Sequence, residues 1–454
     1  MCSSLEYRPR FYVVAKQRNP LILKLIESTG GVLRVDPSLS LESHISLMEE
    51  YAGKIDFAIC PHEKTIMLGL RDEIQRRGLK IPTTFPTSTF AIERSKILQR
   101  RLFPEDYNPR WKPFYPKQYS SQSALEGEVE RWVRVLGGAE NVVFKPDSPA
   151  AGKGVAVGGE HFKSINQLIS NYVHNFKAPF IIEEKEDVEE SSCQIWYDGD
   201  LSHLSMLRYP EVRDYKRAFE GDVGPNTGGM GCYMDGQMFL PYMTVEDWRS
   251  GQQLASGLIR NMIRWAEEND YDTDDMWPCM FYLAMAHPHR VFEGNIGRPG
   301  DPEDIPPLLT MKNDLVDFYL RLIEGNPKRL EFNGRAVVLV YVVPPTYGGK
   351  MSSKPEITVT HPKLTSIVQE APLYVPGDVE LREDGGIYIR SSRSVAVVAD
   401  GESLEEAAGK AHMAAEALES SSKPRGLIWH RGDIGSATHI ERSILHRRKL
   451  KGKR

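Results

Sequence analysis

The sequence has few cysteines and no long apolar run. Its 454 residues include five cysteines, which are scattered and form no CxxC pair, so neither a disulfide framework nor a zinc site is predicted. No stretch is apolar over the length that crosses a membrane, and the first residues lack the apolar run of a signal peptide. These absences predict a cytoplasmic protein that has no membrane partner.

The chain also lacks an excess of charge of one sign. Its formal net charge is -5, and hydrophobic and charged residues make up 41% and 26% of the sequence, as is typical of a soluble globular protein. The balance argues against a nucleic-acid partner that is bound by charge alone. The basic end HRRKLKGKR is interpreted as a solvated tail, and contact with nucleic acid is the alternative.

The order of apolar periods predicts several compact units, as the length of the chain also does. At the start, β-rich runs such as FYVVA alternate with helical periods such as LILKLIES and TIMLGLRDEIQRRG, which predicts an open parallel sheet. From about Val129 the order of helix, strand, loop and strand is typical of a small α+β lobe. A strand-rich segment begins after Arg335. The predicted class is therefore a multidomain chain of α/β and α+β units.

A hairpin that carries two lysines is predicted in 141-NVVFKPDSPAAGKGVAVGG-159. A phosphate-binding P-loop would need a glycine five residues before the Gly-Lys pair and Ser or Thr after it, but Asp147 and Gly154 stand there. Instead, glycines such as Gly154 would let the backbone approach a polyphosphate while Lys145 and Lys153 neutralise its charge. An ordinary hairpin with an exposed lysine at its tip is the alternative.

Two further segments could line the same pocket. In 180-FIIEEKEDVEESSCQIWYDGD-200 a strand ends in carboxylates, which can accept hydrogen bonds from an adenine amino group and from ribose hydroxyls. In 211-EVRDYKRAFEGDVGPNTGGMGCY-233 the run PNTGGMG predicts a loop whose backbone wraps a ligand, and Asp214 precedes it. A charged surface turn and a plain flexible loop are the respective alternatives.

The segment RVFEGNIGRPGDPEDIPPLL offers a pair of oxygen ligands. Glu293 and Asn295 stand two residues apart, so a continuous strand would point both to one side, where they could hold Mg²⁺ against nucleotide phosphates. A turn at Asn295 is the alternative. Arg298 could bind a carboxylate or a phosphate as a bidentate fork, whereas Asp301 and Glu303 are interpreted as caps of the following helix.

Taken together and in order, these segments resemble the phosphoribosylamine-glycine ligases, the ATP-grasp enzymes of purine biosynthesis that make glycinamide ribonucleotide. The resemblance lies in the lysine strand followed by AAGKGV, in IEE with EES, in D-x-KR with GPNTGGMG, and in E-x-N with R-x-GDPE. The segments IERSK, MKNDLVDFYLRLIEG and HRGDIGSATHIER extend it more weakly, to about residues 80 to 445. The match is highly specific because the order and spacing of several long motifs agree.

The resemblance implies an ATP-grasp fold, in which two α+β lobes close on ATP between an N-terminal open-sheet α/β domain and a strand-rich C-terminal domain. The implied units are 1–88 for the N-terminal domain, 89–330 for the ATP-grasp domain with a lid lobe at about 125–190, 331–445 for the C-terminal domain, and 446–454 for a basic tail. The implied partners are small molecules, namely an amino acid and an amine such as phosphoribosylamine, bound by a monomer or homodimer.

The resemblance also implies roles for single residues. Those carried over to the phosphates of ATP are Lys96, Lys145, Lys153 and Gly154, and those around adenine and ribose are Glu183 and Glu190. The implied ligands of Mg²⁺, which Mn²⁺ could replace, are Glu293 and Asn295. The residues that would face the substrates are Asp214, Asn226 and Arg298.

The implied function is an ATP-dependent carboxylate-amine ligase that joins glycine to phosphoribosylamine through an acyl phosphate. The chain departs from the family near its start, where YVVAKQRNPLILKLI lacks the glycines of the family's phosphate-binding loop and 60-CPHE-63 replaces a Gly-Pro-Glu turn. Two alternatives therefore stand beside it. One is a paralogous ligase that joins an amino acid to a different amine, and the other is a catalytically inactive nucleotide-binding subunit.

Overall fold

The structure is a computed structural model of the chain. It describes residues 10–14, 31–60, 62–148, 154–287, 290–352, 355–360, 372–381 and 387–452. The helix predicted in LILKLIES and the predicted phosphate ligand Lys153 lie outside these residues. Within them, no helix is long and apolar enough to cross a membrane.

The N-terminal unit contains a parallel sheet, as its alternating pattern predicts. Strands β1 (Arg10–Val14), β2 (Gly31–Val35) and β3 (Phe57–Ile59) pair in the order β2-β1-β3. Helix α1 (Leu41–Glu50) follows β2, with the Ser40 side chain accepting a hydrogen bond at its first turn. The helix predicted in TIMLGLRDEIQRRG is divided into two, which are α2 (Glu63–Met67) and α3 (Leu70–Arg76).

The division between α2 and α3 falls at Gly69, whose φ of 91° lies in the left-handed region. A helix cannot continue through that conformation, and glycine adopts it without steric cost. The apolar period alone runs across this position, so it predicted one helix where the chain makes two.

A second sheet forms the small lobe, which we call the lid sheet. It has the order β4-β7-β5-β6 with antiparallel pairs. Its strands are β4 (Trp111–Phe114), β5 (Val142–Pro146), β6 (Ala156–Val157) and β7 (Phe180–Glu184). Helix α4 (Lys96–Leu102) precedes the lid sheet in the chain. Helix α5 (Gln122–Val135) lies between β4 and β5, and α6 (Ile165–Leu168) lies between β6 and β7. Leu125, Val129 and Val133 of α5 pack against Phe144 of β5 in one apolar core.

An eight-stranded sheet forms the centre of the molecule, and we call it the central sheet. Its order is β14-β13-β8-β9-β12-β15-β20-β17. These strands are β8 (Glu189–Tyr197), β9 (Val212–Asp214), β12 (Gly231–Met234), β13 (Cys279–His287), β14 (Arg290–Ile296), β15 (Ala336–Val342), β17 (Leu373–Pro376) and β20 (Val395–Gly401). Strands from both sides of residue 331 thus share one hydrogen-bonded sheet.

The remaining elements pack around the central sheet or form small sheets of their own. Strands β10 (Arg217–Phe219) and β11 (Val223–Asn226) form a hairpin, and β16 (Thr358–Val359), β18 (Val379–Leu381) and β19 (Ile387–Ile389) form a three-stranded sheet. The remaining helices are α7 (Val245–Glu268), α8 (Ile305–Thr310), α9 (Leu315–Ile323), α10 (Leu404–Ser420) and α11 (Ala437–Gly452). The basic end predicted to be a solvated tail is therefore helical as far as Gly452.

Candidate active site

A buried group of charges joins the lid sheet to helix α4. Glu183 on β7 pairs with Lys145 on the neighbouring strand β5, and its other carboxylate oxygen lies 2.9 Å from Arg100 on α4. The side chains of Glu183 and Arg100 are 3% and 2% exposed. Burial alone would raise the pKa of Glu183, but Arg100 and Lys145 outweigh burial and hold that pKa below its ordinary value. An ionised Glu183 therefore fixes the predicted phosphate ligand Lys145.

The segment between β5 and β6, of which the structure describes residues 147–148 and 154–155, is called the lid loop. Its start is bound to the first turn of α4. Ser95 caps this helix and donates to Asp147 at 2.8 Å, and Asp147 also accepts from the Ile97 main-chain nitrogen at 3.0 Å. Lys96, the first residue of the helix, donates to the Ser148 carbonyl at 3.2 Å. Gly154, at the other end of the loop, has a φ of 82°, a conformation that favours glycine.

Glu293 and Asn295 lie on one strand, as the sequence predicts. Both belong to β14, and they pair with Ala284 and Tyr282 of β13. Burial would raise the pKa of Glu293, but nearby cations, with Lys216 and Lys96 the strongest, lower it overall. Asn295 therefore lies within a strand, and the alternative of a turn at this position is wrong. The Glu293 side chain is an ionised carboxylate whose oxygens could ligate a metal ion.

This pair of oxygen donors fits a magnesium site of few protein ligands. Mg²⁺ prefers hard oxygen ligands and commonly binds one or two protein side chains together with phosphates and water. Within the described ranges, no group of three or more His, Cys, Asp or Glu side chains could hold a metal ion by itself. A magnesium ion at Glu293 and Asn295 would therefore take its other ligands from a nucleotide and from water.

Arg298 connects strand β14, which carries Glu293 and Asn295, to the N-terminal unit. Its Nη2 donates to Asn295 Oδ1 at 3.1 Å and to Glu63 Oε2 at 2.8 Å. Glu63 is the first residue of α2 and the last of the segment 60-CPHE-63, in which the chain departs from the family pattern. Glu93 is also nearby and only 4% exposed, and burial raises its pKa to about 8. Contacts with Glu63 of α2 and with Asn295 of β14 thus set the position of Arg298.

Asp214 lies at the end of β9 in an acidic part of the site. Burial raises its pKa to about 8, and Glu303 adds to this shift, while Lys216, whose Nζ lies 3.7 Å from Asp214 Oδ2, opposes it. Glu303 itself accepts hydrogen bonds from Tyr282 at 2.6 Å and from Ser192 at 3.3 Å. Protonation of Asp214 reduces the repulsion between these two buried carboxyl groups.

The interpretation of Asp301 and Glu303 as helix caps is wrong. The N-cap of α8 is Asp304, which makes no side-chain cap hydrogen bond. Glu303 faces Tyr282, and Asp301 forms an ion pair of 2.9 Å with Arg393. Stronger tertiary partners are available to both carboxylates, and these contacts were not visible in the local sequence.

The glycine-rich loop after β11 is held by side chains from the C-terminal part of the chain. Arg393 Nη1 donates to the Gly228 carbonyl at 2.8 Å, and the Tyr347 hydroxyl accepts from the Gly228 nitrogen at 3.0 Å. Gly229 has a φ of 109°, and a Cβ there would lie 3.2 Å from Asp214 Oδ1. Only glycine fits this close approach. Asn226 is exposed on β11, beside this loop.

Glu190 lies apart from the buried charges, at the start of β8. Its side chain is exposed, whereas its main-chain carbonyl accepts hydrogen bonds from Arg213, at 3.0 Å, and from Tyr242. Of the two glutamates predicted around adenine and ribose, Glu190 has an exposed side chain, while both oxygens of Glu183 are occupied by cations.

The structure thus brings most of the predicted residues together and adds others. Lys96, Lys145 and Arg298 are among the cations that act on Glu293, and Lys216, another of them, contacts Asp214. The residues that contact the candidate site and that the sequence did not single out are Glu63, Arg100, Tyr282, Arg393 and Tyr347. Arg393 and Tyr347 lie more than 100 positions beyond the loop they hold, so no local pattern indicates them.

The comparisons with known proteins agree with this geometry. Residues 118–303 match the family model described as phosphoribosylglycinamide synthetase, ATP-grasp (A) domain. The chain is 31% identical over 458 residues to the phosphoribosylamine–glycine ligase of Methanocella arvoryzae, with 98% of this chain and 95% of that protein covered.

Solved structures share the architecture. A phosphoribosylamine–glycine ligase from Thermotoga maritima has a TM-score of 0.68 at 20% identity, covering 94% of this chain and 100% of its own. An N5-carboxyaminoimidazole synthase from Aspergillus clavatus, solved in complex with ADP and 5-aminoimidazole ribonucleotide, has a TM-score of 0.53 at 12% identity, covering 90% and 99%.

The fold, with two sheets on either side of a cluster of lysines and carboxylates, is that of an ATP-grasp protein, which confirms the predicted class. Within that class the chain belongs to the phosphoribosylamine–glycine ligase family.

Proposed function

We propose that this chain joins glycine to phosphoribosylamine at the expense of ATP, giving glycinamide ribonucleotide, ADP and phosphate. The observation that carries the proposal is the likeness to phosphoribosylamine–glycine ligases along 98% of the chain, N-terminal unit included. The glycine carboxylate would first accept the γ-phosphoryl group as an acyl phosphate. The amine of phosphoribosylamine would then attack the carbonyl carbon and expel phosphate.

The lysines of the two sheets would bind the phosphates of ATP. Lys145 is supported by the ionised Glu183, and Lys96 is directed by the first turn of α4 toward the lid loop. We include Lys153 and Gly154 in this role because the AAGKGV segment that contains them resembles the family pattern. Such fixed positive charges stabilise the charge that develops on the transferred group and keep the reacting atoms in line.

Glu293 and Asn295 would hold Mg²⁺, or Mn²⁺ in its place. The bound ion would neutralise the nucleotide phosphates. Asn295 is held by Arg298, and the carboxylate of Glu293 is kept ionised by the surrounding cations. Asn295 is therefore oriented before nucleotide binds, which lowers the cost of ordering it, and Glu293 already carries its charge.

Asp214, Asn226 and Arg298 would face the substrates. Asp214 and its neighbour Lys216 occupy the side of the site next to the glycine-rich loop. The guanidinium of Arg298 lies beside Asn295 of β14. An arginine in this position could hold the glycine carboxylate in the planar, two-point manner that guanidinium favours. Glu190 would accept hydrogen bonds from ribose hydroxyls. The same proposal includes a cytoplasmic location and a monomer or homodimer.

An amine panel tests the identity of the second substrate. Purified protein would be incubated with Mg-ATP, isotopically labelled glycine and either freshly generated phosphoribosylamine or one of several other primary amines, and products would be identified by mass spectrometry. We expect labelled glycinamide ribonucleotide with phosphoribosylamine and at most traces of other amides. A larger yield with a different amine would contradict the proposal and favour a paralogous ligase.

A further inference from the structure

A short connection, residues 185–188, joins the lid sheet to the central sheet. It follows strand β7 and leads into β8, whose second residue is Glu190. Because a movement of the lid relative to the central sheet bends the chain at such connections, the groups that hold this segment influence where Glu190 lies. One of these groups comes from helix α11, at the far end of the chain.

His446 of α11 contacts this part of the chain with both ring nitrogens. Nδ1 lies 2.7 Å from Glu189 Oε1, and Nε2 lies 2.8 Å from Asp187 Oδ1. Carboxylate oxygens accept hydrogen bonds, so each ring nitrogen of His446 faces an acceptor. The Asp187 side chain is 69% exposed and that of Glu189 only 9%. The contact with Glu189 is therefore the stronger of the two.

Glu189 is held from its other side by Arg213. Arg213 Nη1 lies 3.3 Å from Glu189 Oε2 and donates to the Glu190 carbonyl at 3.0 Å. Tyr242 donates to the same carbonyl. The backbone of Glu190 is thus fixed by Tyr242 and by Arg213, and Arg213 shares the Glu189 carboxylate with His446. Without His446, the Glu189 carboxylate would lose the partner of its Oε1, and the starting point of the Glu190 side chain would be less well fixed.

Arg447, the next residue, anchors α11 to the first turn of helix α7. Its Nη2 donates to Asp247 Oδ1 at 2.6 Å, and the two side chains are 5% and 2% exposed. Asp247 also closes the first turn of α7 through a capping box. His287 Nδ1 lies 4.0 Å from the same carboxylate, and His287 Nε2 lies 2.8 Å from the Ser191 hydroxyl on β8. Arg447 therefore holds α11 on α7, beside the strand β8 whose Glu189 contacts His446.

We propose that His446 is a positioning residue for nucleotide binding, which holds the 185–188 connection so that Glu190 meets the nucleotide as the lid closes. Arg447 anchors the helix that carries it. His446 touches no reacting atom and acts through Glu189. The inference rests on the proposed function, because it places a nucleotide between the two sheets.

Three variants of the full-length chain test this role. His446→Ala removes the bridge, and His446→Lys replaces it by an ammonium group that can donate to both carboxylates. Arg448→Ala is the matched control, because Arg448 is exposed on the same helix and its loss removes a charge without touching the connection. We expect His446→Ala to raise the Kd for ADP and the KM for ATP by about five- to twentyfold, a common size for coupling between sites. The Lys variant should recover most of the affinity.

The kinetic constants separate positioning from a general loss of structure. We expect kcat and the melting temperature of His446→Ala to stay close to those of the wild type, because the interaction contributes to binding rather than to the chemical step. If the melting temperature falls while ADP affinity and KM for ATP are unchanged, His446 is only a structural residue. Equal weakening in Arg448→Ala would also contradict the positioning role.

Titration calorimetry with ADP needs no turnover, so it distinguishes this inference from the proposed reaction. A wild-type chain that binds ADP but makes no amide would overturn the proposed function and leave the comparison of variants valid. A wild-type chain that does not bind ADP would overturn both.

Discussion

Lys145 is placed by charge as well as by the strand that carries it. Burial lowers its pKa, whereas Glu183 raises it again, and the net effect is a pKa below the ordinary lysine value. Glu183 would retain Arg100 as a partner if Lys145 were removed. The buried carboxylate would therefore not be left without a cation, which is the situation that most destabilises a fold.

Lys145→Met should for this reason impair catalysis more than folding. We expect kcat/KM for ATP to fall about 100-fold or more, the usual cost of losing a group that stabilises transition-state charge, with a small decrease in melting temperature. Lys177→Met, at an exposed lysine of the same lobe, is the control. Unchanged ATP turnover in Lys145→Met would show that this lysine does not bind the phosphates.

Glu293→Gln tests the proposed metal site. Replacing an ionised carboxylate by an amide removes the charge that Mg²⁺ prefers, so we expect the Mg²⁺ concentration for half-maximal rate to rise about tenfold or more. Initial rates at saturating nucleotide across a magnesium titration would measure it. Glu267→Gln, at an exposed position of α7, should leave the midpoint unchanged. A midpoint that is equally unchanged in Glu293→Gln would place the metal elsewhere.

Helix α10 is joined to the segment that follows it by a chain of polar contacts. His412 Nε2 lies 2.9 Å from the Ile434 carbonyl, and His412 Nδ1 lies 3.0 Å from His430 Nε2. A carbonyl only accepts, so Nε2 carries the hydrogen and Nδ1 accepts from His430. Burial lowers the pKa of His412, and the nearby His430 lowers it further.

This contact predicts a loss of stability in acid. Because the folded-state pKa of His412 lies below the unfolded value of about 6.5, the unfolded state binds the proton more readily, and stability falls as the pH drops from about 6.5 through the folded value. Melting temperatures of the wild type and His412→Gln between pH 8 and 5 would measure it. We expect a shallower decline in the variant, and parallel curves would show that His412 is not responsible.

The β10–β11 hairpin, which carries Asn226, is joined to the C-terminal segment by several polar contacts, and the arginine among them that is fully buried is Arg431. It contacts Asp222 at 3.0 Å, Asp433 at 2.7 Å and the Arg217 carbonyl at 2.8 Å. Arg217 begins β10 and Asp222 lies in the turn that follows it, so the guanidinium holds both ends of the hairpin.

Arg431→Met should therefore destabilise the protein by about 3 kcal/mol, because Asp433 loses the buried cation it pairs with, whereas Asp222 keeps Arg442 and His439. Chemical denaturation followed by fluorescence would measure the free energy of unfolding. Arg425→Met removes an exposed arginine of the same region and should change that free energy by less than about 0.5 kcal/mol. A similar small effect at Arg431 would mean that the hairpin is held by other contacts.

The class of the whole molecule could be predicted from sequence because its motifs are local. Residues such as Glu293 and Asn295 reach the site by their spacing on one strand, and their spacing is visible in the sequence. The central sheet was not predicted, since its pairing of β12 with β15 and of β15 with β20 depends on tertiary packing between distant segments. The partners Arg393 and Tyr347 were missed for the same reason.

The division into units at residues 88, 330 and 445 stays a prediction. The central sheet contains strands from both sides of residue 331, and helix α11 crosses residue 445. Domain boundaries that are drawn by function can differ from those drawn by the sheets, because substrate sites commonly form where domains meet. In this molecule the candidate site takes side chains from every part of the chain, including Glu63 and Arg393.

The measurement that tests the proposed ligase activity most directly is release of ADP by the purified chain with Mg-ATP, glycine and freshly generated phosphoribosylamine, each omitted in turn. We expect steady ADP release only when all are present, with one glycinamide ribonucleotide formed for each ADP. Release that needs glycine but not phosphoribosylamine, or no release under any of these conditions, would contradict it.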